Sequence, residues 1–234
     1  MQIIEVTGLG VRSAVIRLRR RDTALQFVLY PMIHMARHGF YRDVTKRLRK
    51  AHLIVVEGVH GGRTSPLFLA LTLSYRVLRL NRRAQLVEQD IDYKALGVPV
   101  IRPDVSADEF RDDWRRVPIW DRVIMWLALP VVILVRLVGG TSAIWTRAVA
   151  LEDLPTPEEE VMAEAMPEMN EAFLDRRDRR LLAALYALHD QRCDEAIEVA
   201  VVYGAGHVPA IVRGLADTYG YKPRSADWLI VADV

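Results

Sequence analysis

The sequence predicts an α/β fold: one domain spanning residues 1–234, a mixed sheet containing parallel pairs under helical cover, with a helical apolar insert from about residue 108 to 155. Three observations carry this. Short β-branched runs such as LIVVEG and IEVAVV alternate with segments of helical period, which calls for parallel strands joined by helices. Several of these runs end in a glycine turn that opens the next helix. With 234 residues, 51% of them hydrophobic and 26% charged, the chain has enough apolar side chains for one sizeable core.

In chain order, VRSAVIRLR alternates as a half-buried strand does, RRRDT reads as a turn, and ALQFVLYPMIHMA reads as a strand buried on both faces. Gly39 to Ala51 places Phe40, Val44 and Leu48 on one stripe of a helix. Leu53 to Gly58 is a short buried strand, and SPLFLALTLSYRVLRL a helix with Pro66 in its first turn. QLVEQ and VPVIRPD are further short strands. From Ala107 to about Leu154 the chain reads as arginine-rich, apolar helix without a strand. Pro155 and Pro157 mark a loop, Met169 to His189 a long helix, IEVAVV a strand, HVPAIVRGLADTYG a helix, and WLIVADV a closing strand.

Composition excludes some function classes. The 32 basic and 30 acidic residues leave a net charge of +2, so no polycationic surface for nucleic acid is expected. The single cysteine, Cys193, rules out an intramolecular disulfide framework and a cysteine-cluster metal site. MQIIEVTG lacks the pattern of a signal peptide, and the expected location is cytoplasmic. One stretch qualifies that. Val123 to Val135, VIMWLALPVVILV, is uncharged but shorter than the roughly 20 residues a spanning helix needs. Residues 123–135 are therefore expected against a second subunit, making a homo-oligomer, or on a membrane surface; Trp114, Trp120, Trp126 and Trp145 frame the stretch.

Ligands of open α/β sheets gather beyond the carboxyl ends of the strands. Three polar signals sit there: Pro31-Met32-Ile33-His34, Val56-Glu57-Gly58 with His60 close behind, and Gly204-Ala205-Gly206-His207. The glycines around Ala205 allow close backbone approach, and a helix N-terminus beside His207 is expected to depress its pKa and keep the imidazole neutral. His38, His52 and His189 are expected in solvent. In RRDRR, Arg176 to Arg180, a face bearing Arg177 and Arg180 aims one guanidinium inward and leaves Asp175, Arg176 and Arg179 to water.

The order of these signals resembles a known family. FVLYPMIHMARHGFYRDVTKRLRKAHLIVVEGV resembles the opening of the TraB/PrgY/Tiki (GumN-like) family, in which Gly-X-X-His after one strand precedes a glutamate after the next. LVEQDIDYKALGVPVIRPDVSADEF resembles its middle, FLDRRDRRLLAALYAL its arginine-aspartate helix, and VVYGAGHVPAIVRGL its second Gly-X-X-His. The likeness spans most of the chain outside about residues 110 to 165 and departs at Pro31, where the family has glycine. It implies the α/β sandwich shared with erythromycin esterases and haem-binding ChaN-type lipoproteins. It also implies that His34, Glu57, Arg177 and His207 meet in one cleft, with Asp178, Gly204, Gly206 and His60 supporting.

The chemistry so implied is that of a metal-dependent hydrolase, peptidase or esterase-like, acting on a small-molecule or peptide substrate. His34, Glu57 and His207 would hold Zn²⁺, Mn²⁺ or Co²⁺ with a water that ionises near neutral pH, and Arg177 would stabilise the oxyanion. A metal-free form, with Glu57 as general base and a histidine as acid or nucleophile, uses the same residues. The alternative is a non-catalytic binding protein of the same fold holding a peptide or haem, with Tyr203 or a histidine on the iron.

Overall fold

A computed structural model describes residues 1–58, 85–138, 151–152, 161 and 164–233. The helix expected over SPLFLALTLSYRVLRL lies outside the described residues.

The N-terminal strands β1 (Gln2–Thr7) and β2 (Gly10–Arg19) form an antiparallel hairpin, and β3 (Gln26–Met32) follows β2 antiparallel. From β3 onward the sheet is parallel. β9 (Glu198–Gly204) lies between β3 and β5 (Leu53–Val56), and β7 (Val100–Ile101) closes that side. The strand order is β7-β5-β9-β3-β2-β1-β8, with β8 at Leu151–Glu152, a mixed sheet. The central position of β9 explains its composition: its residues Val199 to Tyr203 are all buried, as strands covered on both faces are.

Register divides these residues between two faces. Phe27, Leu29 and Pro31 align with Val199, Val201 and Tyr203, while Val28 and Tyr30 align with Ala200 and Val202. The Val28 and Tyr30 face looks onto α1 (His38–Leu48), which buries Phe40, Tyr41, Val44 and Leu48 as its spacing predicts. The other face carries the C-terminal helices. α4 (Pro167–Asn170) passes through a π turn, Glu171–Asp175, into α5 (Arg176–Arg192), and α6 (Val208–Tyr219) packs beside α5. The two meet closely at Gly214, where a Cβ would lie 2.6 Å from a methyl of Leu182 and 2.8 Å from the Tyr186 hydroxyl.

The insert begins as expected. Ser106 and Glu109 form a capping box that starts α2 (Ala107–Arg116), and α3 (Ile119–Val138) follows. α2 is tied to the C-terminal helix by edge-to-face contact of Phe110 with Phe173, 5.4 Å between centroids, by the Arg176–Asp113 pair at 2.5 Å and by Arg180 on Glu109.

Three features depart from the sequence pattern. The strand expected through MIHMA breaks at Ile33–His34, and Met35–Arg37 forms β4, which pairs with β6 (Leu86–Glu88) as a separate ribbon. The insert is not wholly helical: β8 (Leu151–Glu152) pairs with β1, a bridge too short to leave a period in the sequence. The last strand, β10 (Lys222–Asp233), starts six residues before Trp228 and follows β2 along its length. Its first half is exposed, so no apolar alternation announces it.

Candidate functional site

The carboxyl ends of β5, β7 and β9 bring together five ionisable side chains. Glu57 directly follows β5, and its N–H donates to the carbonyl of Val202, so it continues the register beside Tyr203 on the face of α5 and α6. Asp104 stands three residues past β7 and is buried. Arg177 and Asp178 lie in the first turn of α5, and His207 closes a 3₁₀ turn, Ala205–His207, that leads into α6. The π turn ahead of Arg176 adds a residue to the helix and so sets which arginines face the sheet.

Arg177 is the centre of the cluster. Its Nε and Nη2 donate to the two oxygens of Asp104 at 2.9 and 2.7 Å, and Nη2 also donates to Oε1 of Glu57 at 2.5 Å. Asp104 further accepts the N–H groups of Gly58 at 2.9 Å and Val105 at 2.8 Å. Glu57 Oε2 accepts the N–H of Gly204 at 2.5 Å. A Cβ on Gly204 would stand 3.0 Å from that oxygen, so the absence of a side chain there lets carboxylate and backbone meet. Nδ1 of His207 lies 2.6 Å from Asp178, and its Nε2 lies 3.6 Å from Oε1 of Glu57, a charge contact longer than a hydrogen bond.

These contacts set the protonation states. Burial alone would raise the Glu57 carboxyl, but His207, Arg177 and the Gly204 N–H outweigh it and hold the acid far below its usual range. Burial also opposes the bidentate Arg177 and the two backbone donors on Asp104, and they prevail, leaving it lowered. For His207, burial disfavours the charged form, yet Asp178 and Glu57 raise its pKa to about 9. This corrects the expectation of a neutral imidazole: His207 does precede α6, but two carboxylates on the ring outweigh the partial charge of a helix end. Burial pushes Asp178 upward, against the pull of His207.

The structure thus brings Glu57, Arg177, Asp178, His207 and Gly204 together. Gly206 is not sterically required, since a Cβ there would make only an ordinary 3.9 Å contact with Leu174. His34 follows β3 by two residues, at the same end of the sheet as Gly204, and is exposed where the others are largely buried. Pro31 keeps its place in β3, its carbonyl accepting from the Ser13 hydroxyl at 2.8 Å. His60 lies outside the described residues.

Two groups escaped the sequence reading. Asp104, at the end of VPVIRPD, obeys the same strand-end rule that picked out Glu57. Tyr203 was assigned only to the haem alternative; its ring stands edge-on to His207, 5.7 Å between centroids, and its buried hydroxyl meets no hydrogen-bond partner among the described residues. Burial and the charges of Asp104 and Glu57 keep that hydroxyl protonated. Two expectations about other residues also change. His189 is buried, not solvated, and Arg176 is half-buried against Asp113.

As a metal site the cluster is incomplete. The Asp178–His207 pair has the carboxylate–imidazole orientation that metal-ligating histidines use. Among the described residues, however, no group of three or more His, Cys, Asp or Glu side chains is placed to hold an ion, and the Arg177 guanidinium occupies Oε1 of Glu57. The chain matches no protein-family model, no curated protein and no solved structure. The functional reading therefore rests on this geometry.

Proposed function

We propose that the chain is a hydrolase of amide or ester bonds whose working groups are Arg177, His207 and Glu57. One observation carries the reading: a buried imidazole is held charged between two carboxylates, next to a buried guanidinium, at the edge of the sheet where α/β proteins bind ligands. A substrate carbonyl oxygen is drawn to the Arg177 guanidinium, which stabilises the negative charge that develops there. His207, its proton at Nε2 and its ring fixed through Nδ1 by Asp178, protonates the departing nitrogen or oxygen. Glu57 gains basicity as Arg177 turns part of its charge to the substrate, and it orients and deprotonates the attacking water.

The metal-dependent form of this reading assigns Zn²⁺, Mn²⁺ or Co²⁺ to His34, Glu57 and His207. It is supported by the orientation of His207 on Asp178 and opposed by the grip of Arg177 on Glu57. Hydrolysis of a panel of nitrophenyl esters and peptidyl-aminomethylcoumarins, before and after dialysis against chelator, tests both forms. The expected result is turnover of at least one class, reduced roughly a thousandfold per folded molecule by Glu57→Gln. Loss on chelation that Zn²⁺, Mn²⁺ or Co²⁺ restores selects the metal form, and no turnover by the unaltered protein across the panel overturns the reading.

A further inference from the structure

A cleft on the opposite face of the sheet has no part in the cluster around Arg177. It lies between α1 and the strands β2, β3 and β10, on the Val28 and Tyr30 side, whereas Glu57 stands on the Tyr203 side. Its volume is about 480 Å³, within the roughly 300–1,000 Å³ range of small-molecule sites. Strand register builds the floor: Val15 is opposite Asp227, and Arg17 is opposite Ser225 on one side and Val28 on the other, so alternate residues of three strands face α1 together.

The floor holds an unused donor. Tyr30 is 3% exposed, and its hydroxyl has no hydrogen-bond partner among the described residues, yet its oxygen is not sealed off as that of Tyr203 is. Burial first, then Glu198 and Asp227 against Arg47 and Arg17, push its pKa up to about 12, so it keeps its proton at neutral pH. All four of these charged side chains line the cleft, which places the hydroxyl inside it. A buried donor facing a space of this size calls for an acceptor.

The charges say what kind. Each carboxylate of the cleft is engaged: Glu198 with Arg17 at 2.7 Å, Asp227 with Arg47 at 2.7 Å, and Asp43 with Arg42 at 3.3 Å. Lys46, in the last turn of α1, and Lys50, four residues on, line the same cleft and have no carboxylate partner among the described residues. Two uncompensated ammonium groups beside a hydroxyl donor suit a dianion such as a phosphate. The arginines also take only one oxygen of each main carboxylate, which leaves Oε1 of Glu198 and Oδ1 of Asp227 without a donor among the described residues. Ionised carboxylate oxygens can only accept, so they suit the hydroxyl groups of a ligand.

We propose that this cleft binds a phosphate monoester of a small polyol, with Lys46 and Lys50 on the phosphate, Glu198 and Asp227 on the polyol hydroxyls and the Tyr30 hydroxyl donating to the ligand from below. The test is isothermal titration of the full chain with glycerol phosphate, ribose phosphate and glucose phosphate, and with inorganic phosphate and the three parent polyols. The expected result is saturable binding of at least one ester, at least roughly tenfold tighter than inorganic phosphate or its own polyol. Replacing Lys46→Gln and Lys50→Gln together should weaken that binding at least roughly tenfold, and Tyr30→Phe roughly threefold to tenfold. Both lysines are exposed and the phenylalanine lacks only the oxygen, so the melting temperatures should hold and show that lost binding is not lost folding. No saturable binding of any ester by the unaltered protein, or equal binding by the double-lysine variant, overturns the proposal. Inorganic phosphate bound as tightly as the esters would reduce the cleft to a bare anion site and overturns it as well. None of these readouts depends on hydrolysis.

Discussion

His207 and His189 both have little exposed surface, 4% and 5%, and their pKa values move in opposite directions because of what surrounds each ring. His189 meets Arg20 at 3.2 Å through Nε2 and the Tyr221 hydroxyl at 3.1 Å through Nδ1. Since an arginine can only donate, Nε2 must accept, and the ring is neutral with its proton on Nδ1. Burial first and Arg20 second lower its pKa. His207 meets two carboxylates, and they overcome its burial to raise it to about 9. One histidine is a neutral structural joint between α5 and Tyr221, just ahead of β10, and the other is a stored proton. The sign of the neighbouring charge separates them.

Exchanging each for alanine gives the largest contrast. On the proposed chemistry His207→Ala should cost on the order of a thousandfold in turnover, whereas His189→Ala should leave turnover per folded molecule unchanged and destabilise the protein by about 1–3 kcal/mol through the lost packing and the lost hydrogen bond to the Tyr221 hydroxyl. Activity and melting temperature on the same preparations decide it, and equal loss of activity in both variants would erase the distinction.

Arg177→Met sharpens the comparison from the carboxylate side. Asp104 is wholly buried, so removing its guanidinium partner should cost about 3–5 kcal/mol in a urea titration. Glu57, relieved of the competing cation, would then hold the His207 proton more tightly, and the C2–H resonance of His207 should titrate at higher pH while that of His189 stays put.

The pH dependence of stability separates the two histidines without mutation. The pKa of His207 is raised from 6.5 to about 9, so its contribution is complete below pH 6.5 and is lost as pH rises through about 9. That loss is on the order of 3 kcal/mol. His189, whose pKa is lowered, works oppositely: the folded state resists its protonation, so stability declines as pH falls below the ordinary histidine range. Urea midpoints across this range should form a plateau with two shoulders, and His207→Gln should remove the alkaline one alone.

Tyr203→Phe should have the smallest effect on stability, within about 1 kcal/mol of zero, because the hydroxyl it removes has no partner among the described residues. A drop in turnover at that unchanged stability would show the hydroxyl reaching the substrate.

How far the sequence revealed these sites follows from what each depends on. Glu57 and His207 were legible because the strands before them are continuous apolar runs and the turn after each contains glycine. Arg177 was half legible: one inward guanidinium was expected from RRDRR, but Arg176 and Arg180 are engaged by α2, whose position across the chain no local period encodes. Asp104 was missed because β7 is only two residues long, too short to mark a strand end. The state of His207 was misread for a related reason. A helix start is visible in one segment, while its two carboxylates arrive from residues 29 and 150 positions away. Among the described residues the broad classes of element were sound, and what failed were short bridges and charges assembled over long separations.

The close approach at Gly214 has a bearing on how precisely the proton is held. Asp178 rides on α5 and His207 stands at the head of α6, so the 2.6 Å between them is a clearance set by the fit of two rods. Gly214 is the shim, about 10 Å along α6 from His207. Even the single methyl of Gly214→Ala would press on Leu182 and the Tyr186 hydroxyl, and the ends of those side chains would have to turn aside. Whatever part of that displacement reached the helix axes would act on the His207–Asp178 contact, so the imidazole can be adjusted from a position that never touches it.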